Sequence, residues 1–305
     1  MDSDLNAEVW AHLLKGTGLE VLALAKRGDR VDLRGLQSSE PKEFQRIKMP
    51  RADVSTLSGL TEVKGVGWDS LDFTGSALKG LRFFDSTIRN CIFDECDCRD
   101  WRLWGMKVEN CSFRSADLRN SAMGGIKENQ RNTFDRVQFV DTDLRGTAYV
   151  AANFTGCAFR NSRLEKVNFQ GSTFSDCVFE GRLIEVCFNR NAFRAETLPP
   201  NCMARIDFSR ADLRSVEFRN LNLDEVYFPT DENHIVLNEY TRTLDSALQS
   251  LRSRDDAAFR SLTAYLEVYR KWAGPNQQRG VLNKIDLVEI GGEDGLEVVL
   301  ASTKG

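Results

Sequence analysis

Histidine is nearly missing from this chain of 305 residues, which has only His12 and His234. Neither has a sequence neighbour that would complete a nucleophile or metal constellation. A P-loop and a G-x-G-x-x-G run are missing too, and Gly65-Val66-Gly67 is too short to count as a phosphate cradle. No apolar run approaches the ~20 residues that a membrane helix needs. The N-terminus carries Asp2, Asp4 and Glu8 where a secretory signal has basic residues. Acidic side chains are abundant, but no sequence pattern gathers them into a cleft. These gaps set the expectation of a cytoplasmic protein that is not an enzyme, uses no cofactor and holds no metal.

What is present is a period of five. Large apolar residues fall at Phe73, Leu78, Phe83, Ile88, Phe93, Cys98, Leu103, Val108, Phe113, Leu118 and Met123. The register slips by one, restarts at Phe134 and runs to Phe179; a deletion then moves it to Leu183, from which it runs to Phe228. Sixteen of the 19 Phe residues occupy this position. Five fits neither a helix at 3.6 nor a flat strand at 2, so the pattern is a structural repeat. Two residues before each large side chain stands a small one, as at Ser76, Ser86, Cys91, Ala116, Ser162 and Ala211. A large and a small inward position, with the rest facing water, make one short side of a coil.

The runs Ser115-Ala116-Asp117-Leu118-Arg119, Arg210-Ala211-Asp212-Leu213-Arg214 and Ala151-Ala152-Asn153-Phe154-Thr155 resemble the A-(D/N)-(L/F)-X-X unit of the pentapeptide-repeat family. The resemblance covers slightly more than half the chain. It implies a mainly β fold, a right-handed quadrilateral β-helix with four repeats, or twenty residues, per coil. Phe73, Phe93, Phe113, Phe134, Phe154, Phe174 and Phe193 follow that lag once the slips are allowed for, which predicts one column of stacked rings. Roughly eight coils at about 4.8 Å each would make a rod of roughly 40 Å, supported coil on coil and covered at both ends.

Three segments are expected: 1–62, a helical cap and irregular linker; 63–228, the β-helix; and 229–305, a helical extension with a terminal hairpin. Residues 6–27 read as helical, interrupted at Gly16-Thr17-Gly18, and the resemblance makes them a leader that caps the first coil. Residues 37–62, with Pro41 and Pro50, fit the repeat poorly. After Pro229, Asn233–Ser253 and Asp255–Trp272 read as helices with one apolar stripe. Val281–Leu300 reads as two strands around Gly291-Gly292-Glu293-Asp294-Gly295. The stripe, including Leu244 and Leu251, has three ways to be buried: against the upper end of the solenoid, in a homodimer, or under a partner helix.

Charge and cysteine are informative by position. Residues 63–228 carry twenty-three basic and twenty-three acidic groups, so the repeat region is neutral. Six of the eight cysteines, Cys91, Cys96, Cys98, Cys111, Cys157 and Cys177, fall at inward positions, where a small buried hydrophobe belongs. They lack paired C-x-x-C spacing and are expected as free thiols.

Contact candidates stand where the repeat is irregular. Gly124–Thr133, with Lys127 and Arg131, is either a protruding loop or a bulged coil. Phe84 and Trp104 are outward aromatics twenty residues apart, forming either an exposed contact pair or a site covered by the chain itself. Lys79, Arg99 and Arg119, with Arg160 and Arg219 as continuations, form a basic row, although Asp97 and Asp117 beside it favour a mixed-charge solvated face. The preferred reading is a rigid protein-protein interaction scaffold with a protein partner, no membrane and no direct nucleic-acid binding. The alternative, implied by resemblance to the quinolone-resistance pentapeptide proteins, is a DNA mimic that binds a type II topoisomerase (DNA gyrase). That role needs an acidic track, which a neutral repeat region does not supply.

Overall fold

The computed structural model describes residues 1–38, 61–191, 198–254, 256–275 and 277–303, together with the backbone of 44–49 and 52–57. The chain forms two compact units, Met1–Asn153 and Phe154–Gly305.

In the first unit, short parallel strands repeat at a lag of twenty. Glu62–Lys64, Arg82–Phe84 and Arg102–Trp104 pair residue for residue on one face, and Gly67–Asp69, Thr87–Arg89 and Lys107–Glu109 on the next. Single bridges join Asp72, Ile92 and Ser112 on a third face, and Gln37, Ala77, Asp97 and Asp117 on a fourth. Four faces in twenty residues make a β-helix coil. The corners require left-handed backbone, as at Asn90 (φ 55°), Asp100 (φ 59°), Asn110 (φ 52°) and Asn120 (φ 60°). Asn and Asp tolerate that conformation best after glycine, which explains why these residues recur between the apolar ones.

Inside, the large residues pile up. Phe73 stacks on Phe93 at 5.0 Å, Phe93 on Phe113 at 4.9 Å, and Phe113 on Phe139 at 5.4 Å. Each fully buried ring contributes about 1.5–3 kcal/mol of apolar burial. The column corrects the sequence expectation, since Phe134 does not follow Phe113. It stands above Val108 on a neighbouring face, because the insertion shifts the ladder by six rather than one, pairing Val108 with Phe134 and Asp117 with Asp143.

The cap is shorter than expected. Helix α1 spans Ser3–Lys15, starts at an Asp2 side chain that accepts from the Leu5 N–H, and stops at Gly16 with φ 66°. The rest of the expected 6–27 helix is a 3-10 turn, Glu20–Leu22, and an antiparallel pair, Lys26–Arg27 with Arg30–Asp32, because the Gly16-Thr17-Gly18 break ends the helix. Val9, Trp10 and Leu13 face the core. The Trp10 indole donates to Gln37 O at 2.6 Å, and the Trp68 indole donates to Leu13 O at 3.2 Å. Coil pairing already starts at Val31, opposite Leu71. Within 37–62, Phe44–Met49 and Ala52–Leu57 form an antiparallel hairpin, so this stretch is an insertion; 39–43, 50–51 and 58–60 lie outside the described residues.

The second unit has ring stacks of its own. Phe159 lies on Phe179 at 4.7 Å, Phe169 on Phe188 at 5.2 Å, and Phe188 on Phe218 at 5.3 Å. The expected deletion is visible as Leu164 opposite Leu183. Phe193 lies outside the described residues, and the bridge Ser175–Ala204 carries the column of Phe174 onward instead. At the last coil, Arg279 Nη1 donates to Leu223 O at 2.9 Å, and its guanidinium covers the Phe228 ring at 5.7 Å. Leu223 O also accepts from the Val226 N–H at 3.2 Å, so Arg279 adds a second donor at the end of the repeats.

Helices α2 (Tyr240–Arg252), α3 (Ala257–Trp272) and α4 (Lys284–Ser302) follow. Two sequence expectations fail here. His234–Leu237 is a strand that pairs antiparallel with Gly280–Asn283, so the first helix starts only at Tyr240. The stretch expected as a terminal hairpin is helical from Lys284, kinked at Gly292. The glycines that read as a turn are contact points: a Cβ on Gly291 would meet Leu262 Cδ2 at 2.6 Å, and one on Gly295 at 2.8 Å. Leu244 and Leu251 are 0% and 1% exposed in the core these helices share, so these two side chains of the stripe pack within the chain.

Candidate functional site

The outward aromatic pair sits on the face made by Glu62–Lys64, Arg82–Phe84 and Arg102–Trp104. Strand alternation turns Val63, Phe83 and Leu103 inward and leaves two outward columns, Glu62–Arg82–Arg102 and Lys64–Phe84–Trp104. Phe84 and Trp104 are half-buried and stack at 4.8 Å with an 8° interplanar angle. Lys64 Nζ lies over the Phe84 ring at 5.0 Å.

Beyond Trp104 the insertion begins, and it is a hairpin rather than a bulged coil. Ile126 pairs with Arg131 and Lys127 with Gln130, around Glu128 (φ 50°) and Asn129 (φ 61°), the two positive values that a type I′ turn needs. The hairpin folds back along the coil corner. Gly125 lies against Trp104, where a Cβ would be 3.7 Å from Cδ1, and Lys127 pairs with Asp85. Its root is fastened by Asn132, fully buried at a small-residue position. The Asn132 amide donates to Leu103 O (2.9 Å) and Met123 O (2.8 Å) and accepts from the Met106 N–H (2.9 Å). Arg131 is buried beneath; it donates to Asn153 Oδ1 at 3.4 Å, and burial holds its guanidinium pKa below the usual arginine value.

The two arginines beside the aromatic pair were not singled out by sequence. Arg82 Nη1 donates to Asp100 O and Arg102 Nη1 to Asn120 O, each at 2.6 Å. Among the described residues neither forms an ion pair with a carboxylate. Burial lowers the Arg82 pKa, and the like charge of Arg102 adds to that. They stand twenty apart, two residues before Phe84 and Trp104, but arginine is common at outward positions and that spacing alone does not single them out.

Arg99 and Arg119 lie on another face and are neutralised. Each forks onto the Asp two residues before it, Arg99 onto Asp97 (2.7 and 2.6 Å) and Arg119 onto Asp117 (2.9 and 2.7 Å). Arg145 does the same with Asp143. Hydrogen bonding to Asp97 raises the Arg99 pKa. The row continues through Arg145; in the second unit, Arg160 registers with Glu180 and Arg219 with Asn189. Of the sequence-derived candidates, the fold therefore brings together Phe84, Trp104 and Lys127, with Arg131 under the same hairpin. Arg99 and Arg119 stand apart, and Leu244 and Leu251 belong to the core of the second unit.

All eight cysteines are free thiols, and burial pushes Cys91 and Cys98 well above the ordinary thiol range. Among the described residues no group of three or more His, Cys, Asp or Glu could hold a metal, and no helix is long and apolar enough to cross a membrane.

A coil of four short faces repeated at twenty residues, with five-residue units inside each coil, defines a β-helical solenoid. Residues 150–181 match the model for pentapeptide repeats, in eight copies. The chain carries pentapeptide repeats, and its fold is the β-helix such repeats build. No curated protein matches it. Similar solved structures include pentapeptide-repeat and resistance proteins. QnrB1, a plasmid-mediated fluoroquinolone resistance protein, is 17% identical, with 66% of this chain and 91% of that chain covered and a TM-score of 0.27. HetL, involved in heterocyst differentiation regulation in the cyanobacterium Nostoc, is 11% identical, with 55% and 83% covered and a TM-score of 0.23. Rfr23 from the cyanobacterium Cyanothece is 17% identical, with 49% and 88% covered and a TM-score of 0.17. None of these likenesses is close enough to carry a function across.

Proposed function

We propose that this chain is a non-enzymatic interaction module whose contact surface is the face bearing Phe84 and Trp104, bordered by the 124–133 hairpin. The observation that carries the reading is the stacked, half-buried aromatic pair standing outside an already full core. Phe83, Leu103 and their neighbours fill the interior, so the outward rings add nothing to core packing that a polar residue would fail to permit. Aromatic area held on a rigid sheet is a low-entropy anchor for a partner. Pull-down from the native cell with the parent chain and with Phe84→Ala plus Trp104→Ala tests this. The double variant is expected to lose a species that Arg119→Gln retains; retention of the same species by all three would refute the surface.

The topoisomerase decoy is the less favoured role. It requires a continuous acidic track, whereas residues 63–228 are neutral and the outward arginines interleave with aspartates. Gyrase supercoiling is expected to be unchanged by excess protein, and inhibition at stoichiometric amounts would reverse the preference.

A further inference from the structure

Outward arginines on the neighbouring face are neutralised where they stand, Arg99 by Asp97, Arg119 by Asp117 and Arg145 by Asp143. Arg82 and Arg102 are treated differently. They sit in direct register on adjacent coils, and no described carboxylate pairs with either. Glu62 registers with Arg82 from the preceding coil but bonds Lys64 at 2.5 Å, Asp85 bonds Lys127, and Asp100 attracts Arg82 only from beyond ion-pair distance. Like charges directly opposite on a sheet destabilise it, so folding leaves a charge problem here that a bound anion would relieve. Each guanidinium is anchored through Nη1 to backbone carbonyls, Arg82 to those of Asp100, Gly80 and Leu81 and Arg102 to those of Asn120 and Trp101, which fixes its plane and leaves Nε and Nη2 for an acceptor.

We propose that this face docks an acidic polypeptide segment, with carboxylates on Arg82 and Arg102 and its backbone lying along the rims of Phe84 and Trp104. The assignment rests on the contact-module reading above and names the chemistry of the partner. Aromatic rims carry the positive part of the ring quadrupole and suit carboxylates. A single-stranded nucleic acid fits less well, because it needs free ring faces to stack on. Here the faces of Phe84 and Trp104 are turned to each other, and Lys64 covers Phe84. Two arginines also supply few of the phosphate contacts that give such complexes their affinity.

The test is fluorescence anisotropy of the full chain with a labelled Glu-Ala repeat peptide, a Gln-Ala peptide of equal length and a thymidine oligonucleotide. Saturable binding of the Glu peptide alone is expected, weakening as salt rises. Arg82→Gln with Arg102→Gln is expected to weaken it about tenfold, and Arg99→Gln with Arg119→Gln less than about twofold. Because Arg82 and Arg102 also brace backbone carbonyls, Arg82→Lys with Arg102→Lys serves as the charge-preserving variant and is expected to retain most of the binding. Absence of Glu-peptide binding at low salt, equal losses in the two Gln variants, or tighter oligonucleotide binding through Arg82 and Arg102 would overturn the proposal. If the peptide fails while the cellular species still depends on Phe84 and Trp104, the acidic assignment falls and the contact surface stands; if both fail, both readings fall.

Discussion

Asn132 is the residue on which the hairpin hangs, and its removal should be costly out of proportion to its size. Its amide satisfies three backbone groups, the carbonyls of Leu103 and Met123 and the N–H of Met106, in a place with no solvent access. Asn132→Ala strands all three. A buried polar group left without a partner costs about 1–3 kcal/mol; with partial relaxation we expect about 3 kcal/mol in total. At roughly 2–4 °C per kcal/mol for a unit of this size, the melting temperature should fall by about 10 °C. Thr142→Val is the control: the Thr142 hydroxyl donates to Phe113 O at 2.6 Å, and losing it should cost about 1 kcal/mol. Urea unfolding gives the total, and amide exchange at Met106 reports the local loss. An Asn132→Ala protein within about 0.5 kcal/mol of the parent, with the Met106 amide equally protected, would refute the reasoning.

Other outcomes follow from the same geometry. Leu244→Asp with Leu251→Asp should unfold the helical core and abolish much of the helical circular dichroism, since both side chains are buried there; a folded protein of altered mass would instead favour a dimer face. Gly295→Ala should cost about 1–3 kcal/mol through the Leu262 contact, and no change in melting would show that α3 and α4 do not approach so closely. Hydrogen bonding from Asn90 holds the Asp69 carboxyl below its usual pKa, and at Asp97 burial pushes the pKa up but hydrogen bonds from Arg99 outweigh it. Depressed carboxyl pKa values stabilise the fold above the unfolded value of about 3.9 and lose that contribution as pH falls below it. Arg99→Gln should therefore flatten the acid limb of a stability titration, and an unchanged slope would remove Asp97 from it. In native protein, exposed Cys202 should be the fast thiol, because burial pushes Cys187 up to about 11 and encloses the other six; several fast thiols would contradict the packing.

The regular part of the fold was legible because a five-residue period has few physical solutions, and each Phe at an inward position is a separate vote for the same register. What failed was counting across interruptions. From sequence the 124–133 insertion looked like a slip of one, since Phe134 offered a ring where a ring was wanted; Asn132 at a small buried position was the signal that the ladder had been interrupted. The C-terminal glycines misled for a related reason. Gly291 and Gly295 carry no mark that distinguishes a turn from a close helix contact, and only the position of Leu262 decides. At the candidate site, Phe84 and Trp104 were legible because they break the apolar pattern. Arg82 and Arg102 were not, because arginine is common on outward positions and what sets these two apart is the absence of an aspartate partner, a property of space and not of spacing.

The stacked coil can be tested by deletion within the first unit. Removing residues 87–106 takes out one complete coil, since Thr87 and Lys107 are register partners. Removing only 97–106 keeps the five-residue phase but leaves a coil with two faces missing. The twenty-residue deletion should give a folded protein with its β-signal and cooperative unfolding intact at a lower melting temperature, and the ten-residue deletion should not fold. Equal stability of the two would show that the five-residue phase alone, without four-sided coils, sustains the structure.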